Sequence, residues 1–349
     1  MMFSNRLFNI LVPIISVLLG LISGAIIMLI FGYNPIAGFA ALWNGAFGDA
    51  YFFGETIRQV TPYILSGLAV AFALRSGLLN IGVEGQVFMG WLASVWIGIS
   101  FELPMILHLP LAILAAAVAG AFWGFIPGLL KAKLGVHEVI VTIMMNYIAL
   151  YLSNSIVRNL LSDGADRTEN VAETASLQST WLAEMTFYSR IHYGFIVALL
   201  MALIMWFIIN RTTTGFELRS VGFNQHASKY AGMNVSKNII LAMVISGAFA
   251  GLAGAMEGLG TFGFMSIKSG FTNIGFDGIA VALLGANTAF GVILAAFLFG
   301  ILKIGALNMP TAAGVPTELV EIIIALIIFF VASSYMIRWV ILRFKKEGK

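Results

Sequence analysis

The sequence predicts an all-α polytopic membrane protein with about ten transmembrane helices and with both termini in the cytoplasm. Of the 349 residues, 60% are hydrophobic and only 10% are charged, and the mean hydropathy is +0.97. A soluble protein carries about 25% charged residues, so this chain has too few charges to cover a water-exposed surface. Many of its apolar stretches approach the ~20 residues that a helix needs to cross a ~30 Å hydrocarbon core. These observations exclude a soluble enzyme.

Ten apolar stretches, taken in chain order, are the predicted spans. The first is longer than the ~7–15-residue core of a secretory signal and lacks a convincing cleavage site, so we expect it to remain as a helix. The third contains Glu84 and several glycines, which is compatible with a broken or re-entrant segment. The eighth and ninth are short and adjoin at residues 285–288. The stretches are 9–31, 57–74, 81–100, 105–130, 137–157, 192–210, 238–262, 275–288, 289–305 and 318–341.

The placement of Lys and Arg gives the orientation of these spans. With the N-terminus inside, cytoplasmic segments hold 13 of the 19 Lys and Arg residues, as the positive-inside rule requires. Both termini are then cytoplasmic. Two connections are long: an acidic extracytoplasmic loop at 158–191, and a cytoplasmic loop at 211–237 with helix-like content but no transmembrane hydropathy.

Motifs for catalysis, metal binding and nucleotide hydrolysis are missing from the sequence. No GxxxxGK[ST] phosphate loop is present, so we expect this chain to have no ATPase site of that kind. The absence of cysteine excludes disulfides and Cys-ligated metals, and the four histidines are scattered. A GxGxxG match at 258–263 lies at the end of a predicted membrane helix rather than between a strand and a helix, which excludes a dinucleotide site.

Small residues recur every three or four positions in the fourth and seventh predicted spans. Strips of this kind let membrane helices pack backbone to backbone, so we expect close helix contacts along both. The residues are Ala112, Ala116, Gly120, Gly124 and Gly128 in one span and Gly247, Gly251, Gly254 and Gly258 in the other.

Polar side chains inside the predicted spans are the candidates for a translocation path, because they are costly in a bilayer and tend to mark pathways. Glu138, Thr142 and Asn146 share one helix face, which is either a hydrogen-bonded seam between helices or part of a polar path. Glu84, Glu138 and Glu318 lie near predicted helix starts, where the helix dipole stabilises a carboxylate. The residues assigned to the path are Asn80, Glu84, Gln86, Thr142, Asn146, Tyr147 and Asn287.

Lys and Arg are almost missing from the predicted membrane midplane. A path for phosphates or free carboxylates would normally supply fixed cations, although helix N-termini can take their place. The sequence therefore favours a neutral, polar solute.

Four stretches resemble the permease subunits of bacterial ABC importers of the branched-chain amino acid, ribose and nucleoside superfamily. The stretch 75–86 ends in Asn-Ile-Gly-Val-Glu-Gly-Gln, which resembles the nucleoside branch rather than the ribose branch. The stretches 138–147, 221–233 and 276–285 agree and follow in family order, so the resemblance covers roughly residues 5–345.

The resemblance implies that residues 1–349 form a single transmembrane permease domain of an ATP-driven nucleoside importer that works by alternating access. Such a permease lies in the cell (inner or plasma) membrane and pairs with a second permease subunit, a paralogue. Cytoplasmic ATP-binding subunits use ATP and Mg²⁺, and an extracytoplasmic lipoprotein delivers the solute. This chain is then no enzyme, binds no cofactor or metal itself, and has the lipid bilayer but no nucleic acid as a partner.

In this family the internal loop forms a coupling helix that docks into a groove of the ATPase, and here it corresponds to 215–233. Ser228 replaces an alanine that is commoner in the family. Glu217 and Arg219 are expected to be solvent-exposed. The alternative is an ordinary interfacial helix that rests on lipid headgroups. The residues assigned to coupling are Glu217, Arg219, Gly222, Asn224, Ala227, Lys229, Tyr230, Ala231 and Gly232.

Three other functions stay open at the level of the sequence. The first is a permease for a simple sugar or a branched-chain amino acid in the same superfamily. The second is an ion-coupled secondary transporter that uses Glu138, Glu257 or Asp277. The third, a membrane-embedded enzyme, is disfavoured because no catalytic motif is present.

Overall fold

The computed structural model describes residues 2–333, and it describes side chains in 12–331 and at 333. Within residues 2–333 the chain is helical, with no strand and only two isolated bridges. The predicted all-α class is therefore confirmed. The end of the tenth predicted stretch and the basic C-terminal tail, residues 334–349, lie outside the described residues.

Fifteen α-helices follow one another in the described part of the chain. Short π-helical segments extend α6 over Val157–Leu161 and α11 over Met256–Phe262. The α-helices are α1 Met2–Ile30, α2 Pro35–Phe47, α3 Ala50–Arg75, α4 Val83–Ser100, α5 Met105–Leu134, α6 Glu138–Ile156, α7 Thr180–Met185, α8 Gly194–Arg211, α9 Thr213–Phe223, α10 Gln225–Tyr230, α11 Val235–Ala255, α12 Ile274–Leu284, α13 Ala289–Ala306, α14 Met309–Ala313 and α15 Thr317–Ala332.

The bundle has two ends, which the connections identify. At one end Glu55, in the first turns of α3, binds Arg190 of the long connection between α6 and α8; we call this the loop end. At the other end Arg75, the last residue of α3, donates a hydrogen bond to the turn between α12 and α13. The helices α9 and α10 lie there, and we call it the α9 end.

Each of the ten predicted stretches overlaps a helix, and seven helices in the described residues are long and apolar enough to cross a membrane. The 11-residue α12 rises only about 16 Å at 1.5 Å per residue, so it is too short to cross by itself. The seven are Val12–Ile30, Ala50–Arg75, Met105–Leu134, Glu138–Leu161, Gly194–Arg211, Val235–Phe262 and Ala289–Ala306.

One helix without a counterpart among the predicted stretches is α2. Asn34 caps it by accepting from the backbone N–H groups of Ile36 and Ala37, and Pro35 stands at its first position. Both residue types favour a helix start. With 13 residues α2 is shorter than a membrane span, so hydropathy over about 20 residues does not reveal it.

The core is built around α3, and α5 packs along α11. In the spanning window of α3, 89% of residues are buried, against 22% in that of α5. A Cβ atom added at Gly120 of α5 would overlap the backbone of Gly247 and Gly251 in α11, and one at Gly124 would overlap that of Met243. The close helix contact expected from the small-residue strips is therefore present.

Candidate functional site

The starts of two helices, α4 and the 11-residue α12, meet inside the bundle. The chain enters both with the same pattern, Asn-Ile-Gly-x-acidic-Gly, at residues 80–85 and 273–278. A carboxylate from the first pattern joins the two helix starts. This repeat is visible in the sequence and could have paired the two helix starts.

Glu84 is the residue that joins them, and it is fully buried. Its Oε1 accepts from the backbone N–H of Thr272 at 2.6 Å and of Asn273 at 3.0 Å and from the Thr272 hydroxyl at 2.7 Å. Its Oε2 accepts from the N–H of Gly275 at 2.6 Å. These are N–H groups at the start of α12 that have no partner within the helix, and a carboxylate there also meets the positive end of the helix dipole.

Asn146 holds the start of α4 from the side of α6. Its Oδ1 accepts from the N–H of Gly85 at 2.8 Å, and its Nδ2 donates to the carbonyl of Ile81 at 3.0 Å. Thr142, one turn before it, is buried and packs against Gly82. Of the two interpretations of this helix face, the contacts favour the hydrogen-bonded seam, with the amide of Asn146 satisfied by backbone of α4.

Asn80 and Gln86 form a second buried group that ties α4 to α3 and α11. The Asn80 Nδ2 donates to Gln86 Oε1 at 2.9 Å and to the Ser246 hydroxyl at 2.8 Å. Ser246 in turn donates to the carbonyl of Ala69 at 2.7 Å. Buried polar groups that are fully paired in this way fix the arrangement of the helices that carry them.

The two remaining residues assigned to the path lie elsewhere. Tyr147 is 46% exposed on α6, with its ring edge-on to Phe271 at 5.0 Å. Asn287 lies at the α9 end with a φ of 54°, and its carbonyl accepts from Arg75 Nε at 2.8 Å. The seven assigned residues therefore do not form one site, because only five of them meet around the starts of α4 and α12.

A group of charges that the path assignment omitted connects α3, α12, α13 and α15. The hydroxyl of Tyr63, near the middle of α3, donates to Asp277 Oδ2 at 2.8 Å. Lys303 Nζ lies 3.4 Å from the same oxygen and 2.9 Å from Glu321 Oε1. Asp277 occupies in the second Asn-Ile-Gly pattern the position that Glu84 has in the first, so comparing the two patterns could have identified it.

Two cavities open at opposite ends of the bundle. The one at the α9 end, about 800 Å³, lies between α1 and the α12–α13 turn and is mostly apolar, with Arg75 on its wall. The one at the loop end, about 250 Å³, is polar and aromatic, and we call it the Glu257 cavity. It is lined by Arg58, Gln59, Trp91, Arg190, Glu257, Phe262, Lys268, Thr272 and Ile274.

Burial and ion pairing shift the pKa values of two titratable groups near the loop end, Arg190 and His192. Burial alone would lower the pKa of Arg190, but its hydrogen bonds and ion pair with Glu55 outweigh burial and raise the pKa above its ordinary value. Burial and the nearby Arg58 lower the pKa of His192 to about 3, against a smaller opposing effect of Glu55. His192 is therefore neutral at physiological pH.

The segment assigned to coupling forms two short helices, α9 and α10, rather than one. Asn224 separates them and caps α10 by accepting from the N–H of Ala227 at 3.0 Å. A Cβ atom at Gly222 would overlap the backbone of residues 76–77 in the turn after α3, so α9 is in backbone contact with that turn. Tyr230 is 95% exposed. The other exposed residues of the assigned set are Asn224, Ala227, Lys229, Ala231 and Gly232.

Glu217 and Arg219 depart from the expectation that they are solvent-exposed. Both are half-buried. Glu217 Oε2 accepts from Asn238 Nδ2 at 2.9 Å, and Arg219 Nε donates to the carbonyl of Gly215 at 3.3 Å. These contacts bind α9 to the start of α11 and to its own first turn.

Comparison with known proteins gives a family match over most of the chain. The model of one protein family, described as "Branched-chain amino acid transport system / permease component", matches residues 52–332. That range runs from the first turn of α3 to the end of α15 and includes both Asn-Ile-Gly patterns.

Three curated relatives are similar over most of their length. The guanosine ABC transporter permease protein NupP of Bacillus subtilis (strain 168) is 65% identical over 99% of this chain and 99% of its own. The nucleoside ABC transporter permease protein NupB of Lactococcus lactis subsp. cremoris (strain MG1363) is 43% identical over 96% of this chain and 93% of its own. A second guanosine ABC transporter permease protein of Bacillus subtilis, NupQ, is 30% identical over 70% of this chain and 78% of its own.

Proposed function

This chain belongs to the family of branched-chain amino acid transport system permease components, and from this membership we propose that it is the transmembrane subunit of an ATP-driven nucleoside importer. The observation that carries the substrate class is the 65% identity to the guanosine permease NupP over almost the whole of both chains. The likeness to the nucleoside permease NupB supports the same class. Nucleosides are uncharged, in keeping with the scarcity of Lys and Arg in the predicted midplane.

The chain works as a transport component and leaves ATP hydrolysis to separate subunits. Its sequence has no GxxxxGK[ST] motif, so the ATP and Mg²⁺ are those of the partner ATPase, and the chain itself holds no cofactor. Alternating access then requires that the ATPase act on the membrane helices from the cytoplasmic side.

The surface of α9 and α10 is the proposed docking site for that ATPase. Tyr230 is 95% exposed and Phe223 90% exposed, and Lys229 between them adds a positive charge. Ala227 and Ala231 are small and exposed, so a partner surface can approach the backbone closely. A push on α9 would reach the turn after α3 through the contact at Gly222, and that turn leads directly to Asn80.

The proposed orientation places the α9 end in the cytoplasm and the loop end outside the cell membrane. Ten helices then cross or enter the bilayer, both termini are cytoplasmic, and the 158–191 connection faces the lipoprotein that delivers the nucleoside. The second permease subunit is a paralogue of this chain. The occurrence of two guanosine permease proteins, NupP and NupQ, in Bacillus subtilis supports such a pair.

The test is uptake of labelled guanosine, adenosine and uridine into proteoliposomes that contain the complete transporter. We expect uptake when ATP is supplied on the side of the membrane that carries the ATPase, and no uptake without the ATPase subunit. Collapse of the ion gradients at constant ATP should change uptake little. Uptake that follows an ion gradient would replace this proposal with a secondary transporter. Uptake of glucose or leucine in place of nucleosides would keep the ATP-driven permease and overturn the substrate.

A further inference from the structure

The Glu257 cavity contains two ionisable side chains that have no ion-pair partner in the described part of the chain. Glu257 is only 4% exposed, and its single hydrogen bond there comes from the Thr261 hydroxyl at 3.3 Å. Lys268 has no carboxylate within 4.0 Å among the described side chains. A buried carboxylate is normally paired or multiply hydrogen-bonded, because burial otherwise costs free energy.

The arginines of the same cavity are in a different situation. Glu55 accepts from Arg58 Nε at 2.8 Å and from Arg190 Nη2 at 2.9 Å. Both arginines therefore have an ion-pair partner, although the one carboxylate balances only one of their two positive charges. Glu257 and Lys268 are the ionisable side chains on the cavity wall that lack such a partner among the described residues, one acceptor group and one donor group.

An aromatic wall lies beside these two charges. The rings of Trp91 and Phe262 are stacked, with centroids 5.4 Å apart and planes 15° from parallel. The indole N–H of Trp91 donates to the carbonyl of Phe264 at 3.0 Å, which fixes the ring. The Lys268 ammonium lies 5.0 Å from the Trp91 ring and 5.2 Å from the Phe262 ring, so the cation and the rings face the same space.

The size of the cavity suits one small solute. Its volume of about 250 Å³ is just below the ~300–1,000 Å³ of sites for drug-sized ligands. Flat rings stack on nucleobases whatever the base, so the aromatic wall would accept any base. The choice among bases would then depend on Glu257 and Lys268.

We propose that the Glu257 cavity is a base-selecting site at the loop end that favours guanosine. Guanine presents two adjacent N–H donors, at N1 and N2, next to the carbonyl oxygen O6. The Glu257 carboxylate accepts the two N–H groups as a parallel pair, and Lys268 donates to O6. Adenine has no such pair of donors next to a carbonyl. This inference rests on the proposed nucleoside transport.

The experiment compares uptake by the complete wild-type transporter with uptake by the Glu257→Gln variant. Glutamine keeps the side-chain length but removes the carboxylate and one acceptor. The concentration dependence of guanosine, inosine and adenosine uptake is measured in proteoliposomes. We expect the KM for guanosine to rise about tenfold or more. The rise should be smaller for inosine, which keeps N1–H but lacks the 2-amino group, and less than about threefold for adenosine. Glu318→Gln, at an exposed glutamate of α15 that does not line the cavity, is the matched control.

Lys268→Met is the second variant, and it tests the base-selecting site if the Glu257→Gln transporter does not assemble. Lys268 is half-buried, and methionine keeps contact with the rings while removing the donor. Guanosine and inosine, which share O6, should both lose affinity, and adenosine should not. An equal change for all three nucleosides with normal wild-type uptake overturns only the assignment of this cavity. A wild-type transporter that takes up no nucleoside overturns the proposed function as well.

Discussion

At the scale of one residue, Asn146 shows how a polar side chain inside a membrane protein can pair with the backbone of a neighbouring helix. Its amide satisfies one N–H and one carbonyl at the start of α4. The Gly85 N–H lies in the first turn of α4, where N–H groups have no partner within the helix. In a dry interior an unpaired polar group costs about 1–3 kcal/mol. The residue type alone predicted that Asn146 matters inside the membrane. The groups that its amide contacts decide what it does there.

We predict that Asn146→Leu lowers the stability of the protein rather than selectively lowering uptake. Leucine leaves the Gly85 N–H and the Ile81 carbonyl unpaired, so the loss should be about 2–4 kcal/mol. Thr142→Val is the control, because its hydroxyl bonds only within α6, to the carbonyl of Val139. The measurements are the amount of protein in the membrane and its thermal unfolding in detergent. Full stability with weak uptake would restore Asn146 to the translocation path.

Helix pairs are the next scale, and the contact between α5 and α11 shows what the small residues do there. Gly120 and Gly124 on α5 lie against the backbone of α11. Membrane helices lack the hydrophobic effect that drives soluble packing, so close backbone approach supplies the attraction instead. The same region leaves no room for a side chain.

We predict that Gly120→Ala destabilises the protein by about 1–3 kcal/mol, as overpacking of a filled contact does. The added methyl group would meet backbone atoms of Gly247 and Gly251, which cannot turn aside as a flexible side chain can. Gly270→Ala is the control, since nothing lies within 4 Å of the added atom and the loop is exposed. Thermal unfolding of both variants in the same detergent compares them. Equal midpoints would mean that α5 and α11 can separate at little cost.

The α9–α10 pair has an exposed outer surface. A bulky side chain added there tests whether the ATPase docks on it. We predict that Ala227→Trp leaves the membrane helices folded but detaches the ATPase or abolishes its stimulation by solute, because Ala227 is exposed and the indole projects from the docking surface. Gly232 is a less suitable position for this substitution, because a tryptophan would be strained at its φ of 84°.

Leu134→Trp is the control for that experiment. This residue is 70% exposed at the end of α5, on the same end of the bundle but outside the coupling segment. The measurements are co-purification of the ATPase and hydrolysis in reconstituted vesicles. Normal binding and coupled hydrolysis in the Ala227 variant would mean that α10 rests on the bilayer.

For the molecule as a whole, the sequence predicted where the helices lie but revealed little about which residues of different helices are in contact. Hydropathy averaged over about 20 residues located ten helices, because each span must be apolar along its length. It could not reveal that Glu84 binds residues 272–275, since almost 190 positions separate them. Asn80, Glu84 and Asn146 were recognised as polar side chains inside the membrane, and comparing the two Asn-Ile-Gly patterns could have added Asp277. The contacts of Asp277 with Tyr63 and Lys303 and the aromatic wall at Trp91 required the three-dimensional arrangement.

The orientation of the molecule is testable because the chain contains no cysteine. We predict that Glu169→Cys, exposed at the loop end, reacts with a membrane-impermeant maleimide in intact cells. His226→Cys, exposed on α10, should react only after the membrane is permeabilised. Parallel labelling of opened cells shows that both thiols are reactive. The opposite pattern would invert the proposed topology.

The four hydrogen bonds of Glu84 have a consequence for how the protein can change shape. Pulling α12 away from α4 would strand a carboxylate and several backbone N–H groups in a dry interior, where each unpaired group costs several kcal/mol. We therefore expect the starts of α4 and α12 to stay together during a transport cycle. We expect bending instead in the turns that flank this pair, which contain Gly77 after α3, with a φ of 74°, and Asn287 between α12 and α13, with a φ of 54°. Both lie at the end of the bundle where α9 could pull on them.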